Sequence, residues 1–230
     1  MRPLLAFLGV VVFAAIATMA TVARAGPIAL QPGTSAPPKV YEWPQAQPTE
    51  RAVRLGPRLL SGFHIPVSGE AVPDDEVYLP NSPRTYRAGY HEGIDFPAEA
   101  GTPVIAAKAG TVIRVDVAFT EWTVAEEQAA FDAAIATGYT PAATLDRIRG
   151  RQVWIDHGAG IVTRYAHLSA VASLRAGDEV AQDQVIGAVG SSGYPEGGPH
   201  LHFEIRTGED YYGDGLPLTQ LRYAIRAAFR

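Results

Sequence analysis

Two histidines one residue apart, His200 and His202, stand in the stretch GGPHLHFEIR, and an extended strand points both to one face. Upstream, YHEGIDF sets His91 four residues before Asp95. Imidazole and carboxylate are good ligands for zinc. His91, Asp95 and one of His200 and His202 make three protein ligands. That leaves a fourth tetrahedral position open for water, the arrangement of a catalytic rather than a structural zinc. The other histidine of the pair lies on the same face, close but not coordinating, where it can act as a base or a hydrogen-bond donor. RYAHLS supplies a further candidate, His167. The chain has no cysteine, which excludes thiolate metal sites, disulfides and cysteine nucleophiles. His64 and His157 read as ordinary surface or satisfied residues, His157 flanking a turn. Glu92 alternates away from the ligand before it and is expected at the surface.

The elements that must position these groups read as β-structure. TPVIAAKAGTVIRVDV holds two short β-branched runs broken at KAG. RQVWIDHGAGIVTRYAHLS reads as strand, turn, strand. AGDEVAQDQVIGAVGSSG has a turn at Ala176–Asp178, short strands and a glycine-rich exit. In PHLHFEIR, Leu201, Phe203 and Ile205 alternate with His200, His202 and Glu204, so the apolar residues and the histidines take opposite faces. Many short strands with glycine turns predict a mainly β domain, a sandwich or a strongly curved antiparallel sheet. One insert, at about residues 121–150, breaks the pattern. Thr123 and Glu126 form a capping box. Val124, Phe131 and Ile135 fall on one helical stripe, and Gly138 is a natural stop. Thr140 and Pro141 then read as N-cap and first position of a second helix, with Leu145 and Ile148 apolar and Gly150 at its end. The helical pair can pack beside the sheet and wall a groove, or be a neutral insertion. PLTQLRYAIRAAFR predicts a short amphipathic C-terminal helix.

HEGID, YAHLS and GPHLHFEI, in that order and accompanied by GTVIRV and GDEVAQDQVIGAVGSSG, resemble the lysostaphin- or LytM-type zinc metallopeptidases, which are peptidoglycan endopeptidases. The resemblance spans roughly Phe63 to Arg206, interrupted by the helical insert. It implies the family's fold, of the duplicated-hybrid-motif kind. It implies that His91, Asp95 and His202 bind zinc and that His167 and His200 are the catalytic histidines. All five positions are filled, whereas degenerate members lack ligands and act as activators of other wall hydrolases. The implied reaction is hydrolysis by a metal-activated water, zinc lowering the pKa of water from 15.7 to roughly 7. The roles of His167 and His200 stay undivided at this stage. AKAGTVIRV and AGDEVAQDQVIG also resemble lipoyl- and biotinyl-carrier domains, but a carrier needs a lysine at a hairpin tip. Neither lysine of this chain, Lys39 or Lys108, sits in such a motif.

The remaining features bound the context. Hydrophobic residues at 47% and charged residues at 19% suit a globular domain with a sizeable core. A net charge of −5 argues against a nucleic-acid partner. Arg2, the apolar run LLAFLGVVVFAAIATMATVA and the small residues Ala23 and Ala25 form an export signal over residues 1–25. Cleavage before Gly26 would remove Arg2 and Arg24 and no acids, taking the charge from −5 to −7. Uncleaved, the run is long enough to anchor the chain in a membrane. Residues 26–58 are proline-rich and aperiodic and read as a spacer or a pro-segment. The peptidase-like domain is placed at 59–210, followed by a helical extension at 211–230. GAVGSSGYPEGGPH lacks the ending and the following helix of a phosphate loop; the resemblance implies a turn that lets substrate backbone approach the sheet, and a plain hairpin loop is the alternative. The expected partner is a peptidoglycan peptide outside the cytoplasm, in the periplasm, the envelope or the medium, bound by a monomer.

Overall fold

The hairpin expected around HGAG lies at the centre of a sheet. The structure is a computed structural model and describes residues 59–230; the expected export signal and spacer, residues 1–58, lie outside the described residues. The strands are β1 (Pro83–Arg84), β2 (Gly89–Tyr90), β3 (Ile94–Pro97), β4 (Pro103–Ile105), β5 (Gly110–Asp116) and β6 (Gln152–Asp156). They continue with β7 (Ile161–Ala166), β8 (Ala170–Val171), β9 (Glu179–Val180), β10 (Val185–Ala188), β11 (His200–Thr207) and β12 (Asp210–Tyr211). The α-helices are α1 (Val124–Thr137), α2 (Ala142–Arg149) and α3 (Leu218–Ala228). The larger sheet runs β12-β11-β7-β6-β5-β9, all antiparallel, and β3 also pairs with β11. A smaller antiparallel sheet runs β4-β10-β8. The mainly β reading holds, with the helical insert between β5 and β6.

Period-two alternation explains how β11 serves both core and site. Leu201 and Phe203 are fully buried in the core with Ile155, Tyr165 and Ile186. Each such side chain contributes about 1.5–3 kcal/mol by leaving water. His200, His202, Glu204 and Arg206 take the other face, and they too are buried. A sheet polar on one face normally leaves that face wet. Here the end of α2 and the β1–β2 region cover it, so its charges must find partners. The C-terminal helix forms as expected, and Leu221, Ala224, Ile225 and Ala228 pack into the same core.

The insert forms its two helices, with a rotated face. The Thr123–Glu126 capping box is present and Gly138 ends α1 in the left-handed region at φ 77°. The expected stripe is only partly right. Glu127, Phe131 and Ala134 are buried, while Val124 is 78% and Ile135 53% exposed. In an alanine-rich helix, periodicity cannot tell which flank of Phe131 meets the partner. The flank with small Ala134 allows the closer approach. Phe131, Leu145 and Ile148 form a separate apolar cluster with Tyr86, Trp122 and Tyr194. Thr140 does not cap α2. Pro141 takes the N-cap position and the buried Thr140 hydroxyl bonds the Arg87 carbonyl instead. A buried hydroxyl needs a partner, and Arg87 also donates to it from Nη1 at 3.1 Å.

Candidate metal centre

Strand register brings the three expected ligands to one point. His202 of β11 lies directly opposite Asp95 of β3, and His91 approaches from just before β3. His91 Nε2 is 2.9 Å from Asp95 Oδ1 and 3.0 Å from His202 Nδ1, and His202 Nδ1 is 2.8 Å from Asp95 Oδ1. All three residues are buried, and they form a cluster able to hold a metal ion. Their outer nitrogens are already committed. His91 Nδ1 donates to the Leu79 carbonyl at 3.0 Å, and His202 Nε2 to Glu204 Oε1 at 3.2 Å. In the neutral rings, His91 Nε2 and His202 Nδ1 are therefore lone pairs. Two nitrogen lone pairs and a carboxylate oxygen converging in a dry site repel one another unless a cation sits among them. Bonds of about 2.0–2.1 Å to a tetrahedral zinc put ligand atoms roughly 3.3–3.4 Å apart. The observed triangle is slightly tighter, so the residues fit the ion with a small opening.

The electrostatics agree with that demand for positive charge. Burial pushes the His91 imidazole down to about 4, so it is neutral near pH 7. Burial works against the charged form of Asp95, but His91 and His202 hold its carboxyl well below the usual range. Burial also opposes protonation of His202, yet its hydrogen bonds to Asp95 and Glu204 raise its pKa. Without an ion, His202 is the group that takes up a proton.

His167 and His200 join the same groove, whose volume is about 380 Å³. His167 follows β7 with a left-handed backbone, φ 60°. Its N–H donates to the Arg149 carbonyl at 2.8 Å, and its Nδ1 donates to the Ser192 carbonyl at 2.9 Å. Burial, then His200 and His202, keep it neutral by lowering its pKa well below the ordinary value. Nε2 is then its basic atom. His200 Nδ1 donates to the Gly198 carbonyl at 2.9 Å, and its Nε2 lies 3.8 Å from Asp95 Oδ1. The two rings are 4.7 Å apart. Thus all five singled-out residues meet. His64 and His157 do not. His64 pairs with Asp183 at the surface, and His157 bonds the Ala109 carbonyl and the Thr163 hydroxyl. Leu145 and Ile148 of α2 line the groove with Tyr86 and Tyr194, so the insert does wall it.

Several residues around the site were not anticipated. Glu92 is not a solvated surface residue: its carboxylate accepts from Arg149 Nη2 at 2.8 Å and Arg206 Nη1 at 2.7 Å. Alternation does turn it away from the His91–Asp95–His202 cluster, but the end of the insert covers the side to which it turns. Glu204, fully buried, accepts from His202, Arg149, Arg164 and Arg206. Its place in the His200–His202–Glu204 alternation was the available signal. Arg84 Nη2 lies 3.3 Å from Asp95 Oδ2, and nothing in its spacing marked it.

Residues 129–213 match the model of Peptidase family M23. The match begins within α1 and includes His167, His200 and His202; His91 and Asp95 precede it. Over 142 residues, 60% of this chain, the sequence is 34% identical to DD-carboxypeptidase/endopeptidase Mpg of Neisseria meningitidis serogroup B, covering 26% of that protein. Over 123 residues, 54% of this chain, it is 32% identical to peptidoglycan DD-endopeptidase ShyA of Vibrio cholerae serotype O1, covering 22% of that protein. Over 88 residues, 38% of this chain, it is 39% identical to stage II sporulation protein Q of Bacillus subtilis, covering 29% of that protein. The chain spans about a quarter of the length of the curated relatives it matches.

Proposed function

We propose that this chain is an exported zinc endopeptidase that hydrolyses peptide bonds of cell-wall peptidoglycan, a reading supported by the match of residues 129–213 to the model of Peptidase family M23. The observation that carries the reading is the convergence of His91 Nε2, Asp95 Oδ1 and His202 Nδ1 within 3.0 Å of one another, their outer atoms already bonded. These three residues hold the zinc. When bound, zinc lowers the pKa of water and polarises a carbonyl. His167, neutral and with Nδ1 fixed on the Ser192 carbonyl, accepts the proton of the attacking water at Nε2 and returns it to the leaving amine. His200 flanks Asp95, its Nδ1–H committed to the Gly198 carbonyl, and only in its doubly protonated form does its Nε2–H donate a hydrogen bond to the oxyanion of the tetrahedral intermediate. The apolar wall of Tyr86, Leu145, Ile148 and Tyr194 excludes water from one side of the groove. In this reading residues 59–210 are the peptidase domain, closed by the helical extension at 211–230. The signal of residues 1–25 directs export, and residues 26–58 are the spacer. The enzyme acts as a monomer. Among the described residues, no helix is long and apolar enough to cross a membrane.

A second reading is a non-catalytic regulator of a wall amidase, since one relative bears a name that is not a peptidase's, stage II sporulation protein Q. The five filled site positions favour the enzyme. The test is mass spectrometry of muropeptides after digestion of purified peptidoglycan, with and without chelator, with zinc restored, and with His202→Ala. New fragments that disappear with chelator and in the variant support the peptidase, and their masses name the bond. A zinc-loaded protein that produces no fragment sinks it in favour of the regulator.

A further inference from the structure

The end of the helical insert touches the metal centre from three directions. Arg149, the last residue of α2, is buried and donates from Nε to Glu204 Oε1 at 2.6 Å. That oxygen is the one that accepts His202 Nε2–H. From Nη2, Arg149 donates to Glu92 Oε2 at 2.8 Å, and Glu92 adjoins the ligand His91. Its carbonyl accepts the His167 N–H at 2.8 Å. The next residue, Gly150, presses on the loop that holds His167 from the other side. A Cβ there would stand 2.2 Å from the Ser192 carbonyl oxygen, the acceptor of His167 Nδ1. Arg164 and Arg206 also bond Glu204, but at Oε2. Arg149 alone among the guanidinium bonds described reaches the oxygen that sets the His202 ring.

We infer that Arg149 is a positioning residue of the metal centre, and that through it the helical insert governs how tightly the ion is held. The physical basis is the tautomer of His202. Nδ1 can bind an ion only while Nε2 keeps the proton, and Nε2 keeps it because Glu204 Oε1 is held in place to accept it. A guanidinium fork holds two carboxylates at fixed angles; an ammonium is a point charge and cannot. The insert is thus part of the apparatus that orients a ligand, besides being a groove wall. The inference rests on the zinc reading above but not on hydrolysis.

The test uses the full chain with Arg149→Lys, which keeps a cation beside the buried carboxylates. Zinc affinity is measured by competition with a chromophoric chelator. The His202 tautomer is read from imidazole ¹⁵N shifts of metal-free protein in alkaline buffer. The expected result is a roughly 10- to 100-fold loss of zinc affinity and a shift of His202 away from the Nε2–H form. Arg147→Lys, two residues earlier on α2 and more exposed, serves as control and changes neither reading. A folded Arg149→Lys with wild-type zinc affinity and an unchanged tautomer overturns the inference, as does an equal effect in Arg147→Lys. If Arg149→Lys does not fold, Glu204→Gln addresses the same link from its other end, and unchanged zinc affinity there overturns it as well. A wild type that binds zinc but cuts no muropeptide refutes the activity and leaves this link standing.

Discussion

Gly93 lies beneath His202, a proposed zinc ligand, and Gly93→Ala tests whether that packing sets the metal affinity. Its backbone is outside the left-handed region, so alanine costs nothing in backbone strain and the effect is one of space. The added Cβ would stand 2.5 Å from the Phe203 carbonyl oxygen, 2.9 Å from His202 Cε1 and 3.0 Å from His202 Nε2. The carbonyl belongs to a central strand bonded on both sides and cannot retreat. The His202 ring must therefore move off the position that aims Nδ1 at His91 and Asp95. Overpacking of this kind costs about 1–3 kcal/mol, and a misplaced ligand loses roughly 10- to 100-fold in metal affinity. Zinc at 100 times the wild-type Kd stabilises the wild type by about 2.7 kcal/mol. At the same concentration the variant gains only about 0.4–1.4 kcal/mol by the same relation. A domain of this size moves about 2–4 °C per kcal/mol, so the zinc-induced rise in Tm falls from roughly 5–11 °C to roughly 1–6 °C. Thermal melts with chelator and with fixed free zinc read this directly. A Gly93→Ala protein that is destabilised without zinc yet keeps the full zinc-induced rise would refute the reasoning.

Other predictions follow from the same contacts. Glu92→Ala leaves Arg149, Arg164 and Arg206 sharing the single carboxylate of Glu204 in a nearly dry site and is expected to cost roughly 3 kcal/mol; urea unfolding within about 0.5 kcal/mol of wild type would instead mean a solvated surface residue. Phe131→Ala removes the centre of the insert's own apolar cluster and is expected to cost about 3 kcal/mol, read as faster proteolytic cleavage between α1 and α2. In metal-free protein, the unfolded chain protonates its histidines near pH 6.5 while folded His91 refuses the proton until about 4. Stability therefore falls by up to roughly 3 kcal/mol as the pH drops through that window. His167, also lowered, acts in the same direction. His202 acts oppositely: its raised pKa adds stability that is complete below 6.5 and is lost as the pH rises through the folded value. Urea midpoints in chelator that do not fall between about pH 6.5 and 4.5, or a His91→Gln variant with an unaltered slope, contradict this.

The site was legible in sequence to an unusual degree because its geometry is local to strands. H-x-H on a strand puts His200 and His202 on one face whatever the rest of the chain does, and the glycine turns announce the hairpins on which His167 rides. The alternation of β11 equally foretold which of its residues enter the core. What chain-local rules cannot supply is the far side of each contact. Alternation turned Glu92 away from the His91–Asp95–His202 cluster, but only packing decided that the end of the insert waits there with Arg149, so that a charge expected in water is half-buried and paired. Periodicity drew a stripe through Phe131, but the partner surface chose Ala134 over Ile135. Thr140 has the chemistry of an N-cap and spends it on Arg87, because a fully buried hydroxyl must bond what is nearest. Residue types and spacing thus singled out His91, Asp95 and the His200–His202 pair with the strands that carry them, the resemblance chose His202 from that pair, and the register of β11 on β3 sets His202 beside Asp95. Tertiary structure decided the second layer of charges that fixes their tautomers, since that layer joins residues from Glu92 to Arg206 that approach one another only when the sheet and insert close.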